Sequence, residues 1–255
     1  MLSCALVGEP VPVKYAEGLV HGFLVLRSSD GQTLAEGDLM QTVHANRVTS
    51  RLVFHFKDGS VHDDTVVFSQ RRYFRLLSEH LVQKGPSFEQ PIDLSINAAK
   101  NEITVKYTDK DGKQKTATEH SKLPPELANG LVLTLLKNVR TGTALKLSMF
   151  AVTPKPRLVK LNINAAGEET FLIGGSARKA VRYVVKVDIG GIAGAVAPLL
   201  GKQPPDTNVW ILPGEAPAFV KSEGPLYVGG PVWRIELTSP VWKDSKPAGK
   251  DKPAD

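Results

Sequence analysis

Six histidines, at positions 21, 44, 55, 62, 80 and 120, all fall in the first half of a 255-residue chain, and two of them flank one turn. In Phe56-Lys57-Asp58-Gly59-Ser60-Val61 the Asp-Gly pair supplies the positive φ that a tight hairpin needs. With a two-residue turn, Lys57 faces Ser60, Phe56 faces Val61 and His55 faces His62, their Cβ atoms about 5 Å apart. Asp64 follows His62 on the same face by the two-residue period of a strand, while Asp63 points away with Leu52, Phe54 and Phe56. Two imidazoles and a carboxylate so placed form a candidate ligand set for a divalent metal with open positions, which would activate water or oxygen. His62-x-Asp64 with a distant His120 also has the residue types of the facial triad of non-haem iron oxygenases. The plainer reading is that the hairpin face bearing Lys57, Ser60, His62 and Asp64 is the wetted side. A three-residue loop with a bulge would instead send the two histidines to opposite faces.

The next strand carries a second group. Period two sets Tyr73, Arg75, Leu77 and Glu79 on one side, and Phe74, Leu76, Ser78 and His80 on the other. Tyr73 and Arg75 are candidate ligand contacts on a partly apolar wall, and Glu79 or His80 a candidate base beside His55, His62 and Asp64. An exposed ion pair accounts for Arg75 and Glu79 equally well. Of the three tryptophans, at 210, 233 and 242, Trp210 and Trp233 are candidate stacking platforms for a ligand, with core caps as the alternative. Ser176-Ala177-Arg178-Lys179 has the Ser-x-x-Lys spacing of penicillin-recognising enzymes but falls between strands, not at a helix start. Asp188 to Leu200 is apolar and Gly-rich without the Gly-x-Gly-x-x-Gly fingerprint or a βαβ setting; it reads as an apolar lid at a barrel mouth, or as a packed loop.

The elements that must position these residues are strands. Alternating Val, Ile, Leu, Phe and Thr recur every ten to fifteen residues or so between turn signals at Asp30-Gly31, Asp58-Gly59 and Asp111-Gly112. Strands are predicted at 14–27, 33–43, 48–56, 61–70, 72–83, 92–97, 102–107 and 114–119. After one break they resume at 144–152, 157–163, 170–173, 179–189, 208–212, 218–221 and 232–237. The break is an amphipathic helix near 124–139, with Pro124-Pro125 in its first turn and Leu127, Leu131, Leu135 and Val139 on one face. The predicted fold is mainly β: one curved antiparallel sheet forming a barrel, half-barrel or β-roll, with that helix plugging or covering it. Two β domains joined near Thr141 to Thr143 are the alternative. Residues 1–12 read as the remnant of a signal or a frayed segment, 13–240 as a single β-rich domain and 241–255 as a disordered tail.

Composition sets outer limits. The chain is 42% hydrophobic and 23% charged, which is globular, and its one cysteine excludes an internal disulfide framework or a multi-thiolate zinc site. The net charge of +6 is dispersed and partly in the tail, and no basic run is interleaved with aromatics, so nucleic acid is not an expected partner. No stretch of about 18 apolar residues offers a transmembrane helix. Cys4 behind Met1-Leu2-Ser3 has the look of a lipoprotein cysteine without a full signal before it.

Four stretches, Phe56-Lys57-Asp58-Gly59-Ser60, Phe74-Arg75-Leu76-Leu77-Ser78, Gln83-Lys84-Gly85-Pro86-Ser87-Phe88 and Leu123-Pro124-Pro125-Glu126-Leu127-Ala128-Asn129-Gly130, resemble a group of uncharacterised exported bacterial β-roll proteins. These are similar in outline to lipocalins and to the periplasmic lipoprotein carriers. The resemblance covers about Leu19 to Val241 and carries no catalytic motif. It implies a periplasmic or secreted location in the bacterial envelope and a sheet wrapped round a cavity. The expected function is binding of an apolar or amphipathic small molecule, with a membrane surface as a further partner. The alternative is a hydrolase or metal-dependent oxygenase on the same scaffold.

Overall fold

A computed structural model describes residues 8–109, 111–190 and 204–238. Cys4, the apolar stretch from Gly191 to Leu200, Trp242 and the lysine-bearing tail lie outside the described residues. The strands are β1 (Val20–Arg27), β2 (Thr33–His44), β3 (Arg47–Phe56), β4 (Val61–Gln70), β5 (Phe74–Lys84), β6 (Ile92–Asn97), β7 (Glu102–Thr108) and β8 (Gln114–His120). After helix α1 (Val132–Asn138) come β9 (Leu145–Ala151), β10 (Arg157–Ile173), β11 (Ser176–Asp188), β12 (Thr207–Leu212), β13 (Ala218–Pro225) and β14 (Val232–Thr238).

All fourteen strands join one antiparallel sheet in the order β8-β7-β6-β5-β4-β3-β2-β1-β14-β13-β12-β11-β10-β9. Consecutive strands pair everywhere except β8 and β9, which form the two edges, and the pairing of β1 with β14 joins the first eight strands to the last six. The sheet is curved and does not close, as expected of a β-roll and unlike a lipocalin barrel, which has no free edges. The larger core draws buried residues from β3 to β7 and from β9 to β12 around Leu127, Ala128, Leu131 and Leu135, so both arms of the sheet pack on one central segment. A smaller core lies under the middle strands, built on Leu24, Leu26, Phe54, Phe56, Phe88 and Trp233.

The central segment is less helical than its spacing predicts. The helix covers Val132–Asn138 alone. Gly130 has φ +61°, and a Cβ there would collide with Val66, so the backbone turns left-handed where the segment presses on β4. Upstream, Ala128 N donates to Ser148 O at 2.8 Å and Leu127 forms a parallel bridge with Ser148, so this stretch acts as a short strand beside β9. The leucine stripe is buried all the same, with Leu127, Leu131 and Leu135 each under 5% exposed.

Residues 8–17 are also held, although 8–12 fall in the stretch read as a remnant or frayed segment. Val11 is 4% exposed, and Pro12 bridges to Tyr73. Asn138 Oδ1 accepts from Lys14 N at 2.9 Å and Tyr15 N at 2.6 Å. Glu17 N donates to Gln70 Oε1, and the Glu17 carboxylate meets Gln41 and Lys137.

Candidate functional site

The three Asp-Gly turns do make hairpins, each with a three-residue loop in place of the two-residue one. Gly59 N donates to Phe56 O and Phe56 N donates to Ser60 O, with Gly59 at φ +85°. The same pair of bonds closes Ser28 to Gln32 and Asp109 to Lys113. A type I turn followed by a left-handed glycine bulge gives this pattern. It shifts the β3–β4 register by one residue: His55 pairs with Val61, Phe54 with His62 and Leu52 with Asp64.

That single step overturns the expected set of His55, His62 and Asp64. His55 is exposed, whereas His62 is 5% exposed and shares the inner face with Phe54. His120 lies on the edge strand β8, its ring 3.8 Å from Glu102. Among the described residues no three His, Cys, Asp or Glu side chains converge in a way that would hold a metal. The wet-face reading of β4 is corrected too, because Asp63 is the residue that turns outward. Its carboxylate takes a two-pronged bond from Arg51, at 3.0 and 2.7 Å.

A bulge rearranges β5 in the same way. The β4–β5 register slips between Val67 and Phe68, so Phe74 and Leu76 face inward and, after the extra residue Leu77, Glu79 and Leu81 face inward as well. Glu79 therefore leaves the side of Arg75 that strict period two assigned to it. Arg75 is exposed and reaches Pro125 O at 3.4 Å, while His80 is exposed beside Asp93 at 3.1 Å.

Two interior carboxyls result. Glu79 pairs across the sheet with Val66, and Asp64 with Leu81, which makes the two acids diagonal neighbours on the inner face. Asp64 Oδ1 and Glu79 Oε2 are sealed from solvent without a hydrogen-bond partner. Burial, reinforced by the charge of Asp63, pushes Asp64 up to about 7. Burial and the neighbouring Asp64 raise Glu79 well above the usual range, opposed by a hydrogen bond from Asn129. Beside them His62 Nδ1 accepts from Gln83 Nε2 at 3.0 Å, and the same amide donates to Leu226 O at 3.0 Å. Burial pulls His62 down to about 4, so its ring is neutral and carries its proton on Nε2.

Another buried acid escaped the sequence reading. Glu126 Oε1 accepts from Ser148 Oγ at 2.7 Å and Lys160 Nζ at 3.3 Å. Asn129 grips the backbone of Phe150 from both ends, at 3.1 and 2.8 Å. The Leu123-Pro124-Pro125-Glu126-Leu127-Ala128-Asn129-Gly130 stretch is thus a wedge whose polar residues fasten it to β9 and β5 while its leucines fill the core.

Trp210 and Trp233 are both buried by neighbouring side chains. Trp233 packs in an aromatic group with Phe56, Phe88 and Tyr227, at centroid distances of 5.5, 6.5 and 6.0 Å. Trp210 is 3% exposed and lies under Lys221, whose ammonium is 4.1 Å from its ring. Tyr73 holds the N-terminal segment through its bridge to Pro12.

An open groove of about 870 Å³ remains, where the N-terminal segment, the end of α1 and the start of β9 meet. Val11, Pro12, Val139 and Leu145 give it apolar walls, and Lys14, Arg140 and Lys146 stand at its rim against a single acid, Glu9. Asp64 and Glu79 line neither this groove nor three smaller clefts elsewhere on the surface. The groove residues were not singled out from sequence, since they come from three separate elements and only the packed segment 8–17 brings them together.

Fold and groove define an open antiparallel β-roll with a wedged interior and an apolar surface groove. Neither a protein-family model nor a curated protein matches the sequence. Among solved structures, the chain is similar to a β-barrel-like protein of the domain of unknown function DUF1849 from Brucella abortus, at 10% identity and a TM-score of 0.47, over 88% of this chain and 98% of that one. It is also similar to the hypothetical lipoprotein YmcC from Escherichia coli K12, at 11% identity and a TM-score of 0.37, over 88% and 86% of the two chains. No helix among the described residues is long and apolar enough to cross a membrane.

Proposed function

We propose that this chain is an exported, non-catalytic β-roll that binds an apolar or amphipathic small molecule, held in the groove between residues 8–14 and 138–146. The groove carries the reading. Its volume of about 870 Å³ suits a small amphiphile, and its walls are apolar with a few charged groups at the margin. Arg140 and Lys146 have no acid partner among the described residues, so the rim favours a ligand whose polar end is anionic. The buried carboxyls do not favour catalysis, because Asp64 and Glu79 line neither the groove nor the three smaller clefts.

The test is titration of the purified full chain with a fluorescent fatty-acid analogue, alongside native mass spectrometry for a co-purified amphiphile. Val139→Trp, which fills the groove, is expected to abolish probe binding, and Lys146→Glu to weaken it about fivefold to tenfold for an anionic probe. Saturable binding that survives both substitutions, or no binding at all, refutes the reading. Fractionation of the producing cells tests the envelope location.

A further inference from the structure

The β10–β11 hairpin outgrows the sheet. β10 pairs with β9 only from Arg157 to Ile163, and β11 with β12 only from Val181 to Val185. Residues 169–173 and 176–180 pair with each other alone. They form a two-stranded ribbon that ends in Gly174-Gly175, both at positive φ. Its free end is apolar: Leu172 is 82% exposed and Ile173 39%, in a chain that buries most of its large aliphatic residues. A bulge between Ala165 and Glu168 sets the angle of the ribbon. Phe171 leans on Lys221, 5.5 Å from ring to ammonium, and Lys221 in turn lies on Trp210, so the ribbon is propped from one side at the level just behind its apolar end.

Charge is graded along the ribbon. From Thr170 to Lys179 there are two cations, Arg178 and Lys179, and no acid. The acids Glu168 and Glu169 come one step further back, where they meet Lys179 at 3.7 Å and Lys221 at 3.9 Å. Arg178 pairs across the ribbon with Phe171, Lys179 with Thr170, and Leu172 with Ala177. The two cations point to opposite faces, directly behind the apolar end. Their level lies about 10 Å from the Gly-Gly turn at roughly 3.3 Å per residue, which matches the shallow depth of about 5–10 Å reached by interfacial membrane anchors. Outward-facing backbone groups of a two-stranded ribbon have no partners, which prevents it from going deeper into hydrocarbon.

We infer that this ribbon is a docking tip for an anionic lipid surface: Leu172 and Ile173 enter between headgroups, while Arg178 and Lys179 contact phosphates from either face. The inference is independent of the groove and of any ligand it holds.

Co-sedimentation of the full chain with phosphatidylglycerol–phosphatidylcholine vesicles tests it, with pure phosphatidylcholine vesicles as the second arm. Binding is expected on the mixed vesicles and to fall with added salt. The exposed double variant Leu172→Ser/Ile173→Ser is expected to lose about tenfold or more in affinity. Arg178→Gln/Lys179→Gln is expected to lose about fivefold per cation on the anionic vesicles and little on the neutral ones. Leu172→Trp supplies a readout at the tip, its emission shifting to the blue when anionic vesicles are added. Three results overturn the inference: no sedimentation of the wild type, full-strength binding by both double variants, or a tip tryptophan already shielded in a dimer without lipid. The last would assign the tip to a second copy of the chain.

Discussion

Asp64 keeps its proton in the fold up to about pH 7, whereas a free aspartate loses it near 3.8. Between those values the folded chain binds the extra proton, so stability is full below about pH 4 and declines as pH rises through 7. The slope is about 1.4 kcal/mol per pH unit, and over roughly three units the loss reaches about 4 kcal/mol. Glu79, raised by burial and by Asp64, adds to the same decline from about pH 4.5 upward. His62 works in the opposite sense. It stays neutral in the fold down to about 4 while the unfolded ring protonates near 6.5, so its share of stability is present above 6.5 and lost as pH falls towards 4. Because the two slopes oppose each other, the wild-type profile conceals both, and the informative quantity is a difference. Relative to wild type, Asp64→Asn is expected to gain stability by about 1.4 kcal/mol per unit between about pH 4 and 7, and to hold that gain above 7. His62→Gln removes the opposing slope, so between about pH 4 and 6.5 its stability is expected to fall with rising pH more steeply than that of the wild type. Urea unfolding followed by tryptophan fluorescence, repeated across this pH range, gives the free energies directly. Stability curves for Asp64→Asn and wild type that run parallel at every pH would refute the reasoning, since a carboxyl titrating alike in both states contributes no slope.

Other substitutions test the wedge. Gly130→Ala places a Cβ at positive φ against Val66 and is expected to cost about 2 kcal/mol or more, with partial rescue by Val66→Ala in the same urea assay. Asn138→Ala removes the acceptor of Lys14 N and Tyr15 N and is expected to cost about 1–3 kcal/mol, with faster proteolysis near residue 14 as the specific sign. Retention of protease resistance by Asn138→Ala would show that these two bonds do not hold the segment.

The strands were the legible part of the fold. β4 and β6 occupy the residues that alternation predicts, Val61–Gln70 and Ile92–Asn97, because the two-residue period is a local property of the chain. Which face each strand presents was not legible. An Asp-Gly pair is compatible with a two-residue loop and with a three-residue loop plus bulge, and the two differ by one residue of register. That one residue moved His62 and Asp64 from the solvent side to the core and separated them from His55. The bulge at Leu77 did the same for Glu79, with no Gly or Pro to announce it. The helix is shorter than the predicted 124–139 for another reason: a leucine every fourth residue suits any segment that buries one side, and the left-handed backbone at Gly130 keeps the helix from starting before Val132.

These slips share a cause with the buried polar groups. An apolar core would accept the wedge in several positions, since leucines tolerate sliding past one another. Glu126 on Ser148 and Lys160, Asn129 on the backbone of Phe150 and Asn138 on Lys14 and Tyr15 each have one geometry in which their bonds are met. A buried polar group left without its partner costs about 1–3 kcal/mol, so a wedge shifted by one residue would lose several such bonds together. The polar residues therefore select one placement of the wedge, and through Asn138 they fix residues 8–17, which form a wall of the groove. On this account the amides and Glu126 inside the roll act at a distance: they set the shape of a groove that most of them do not touch.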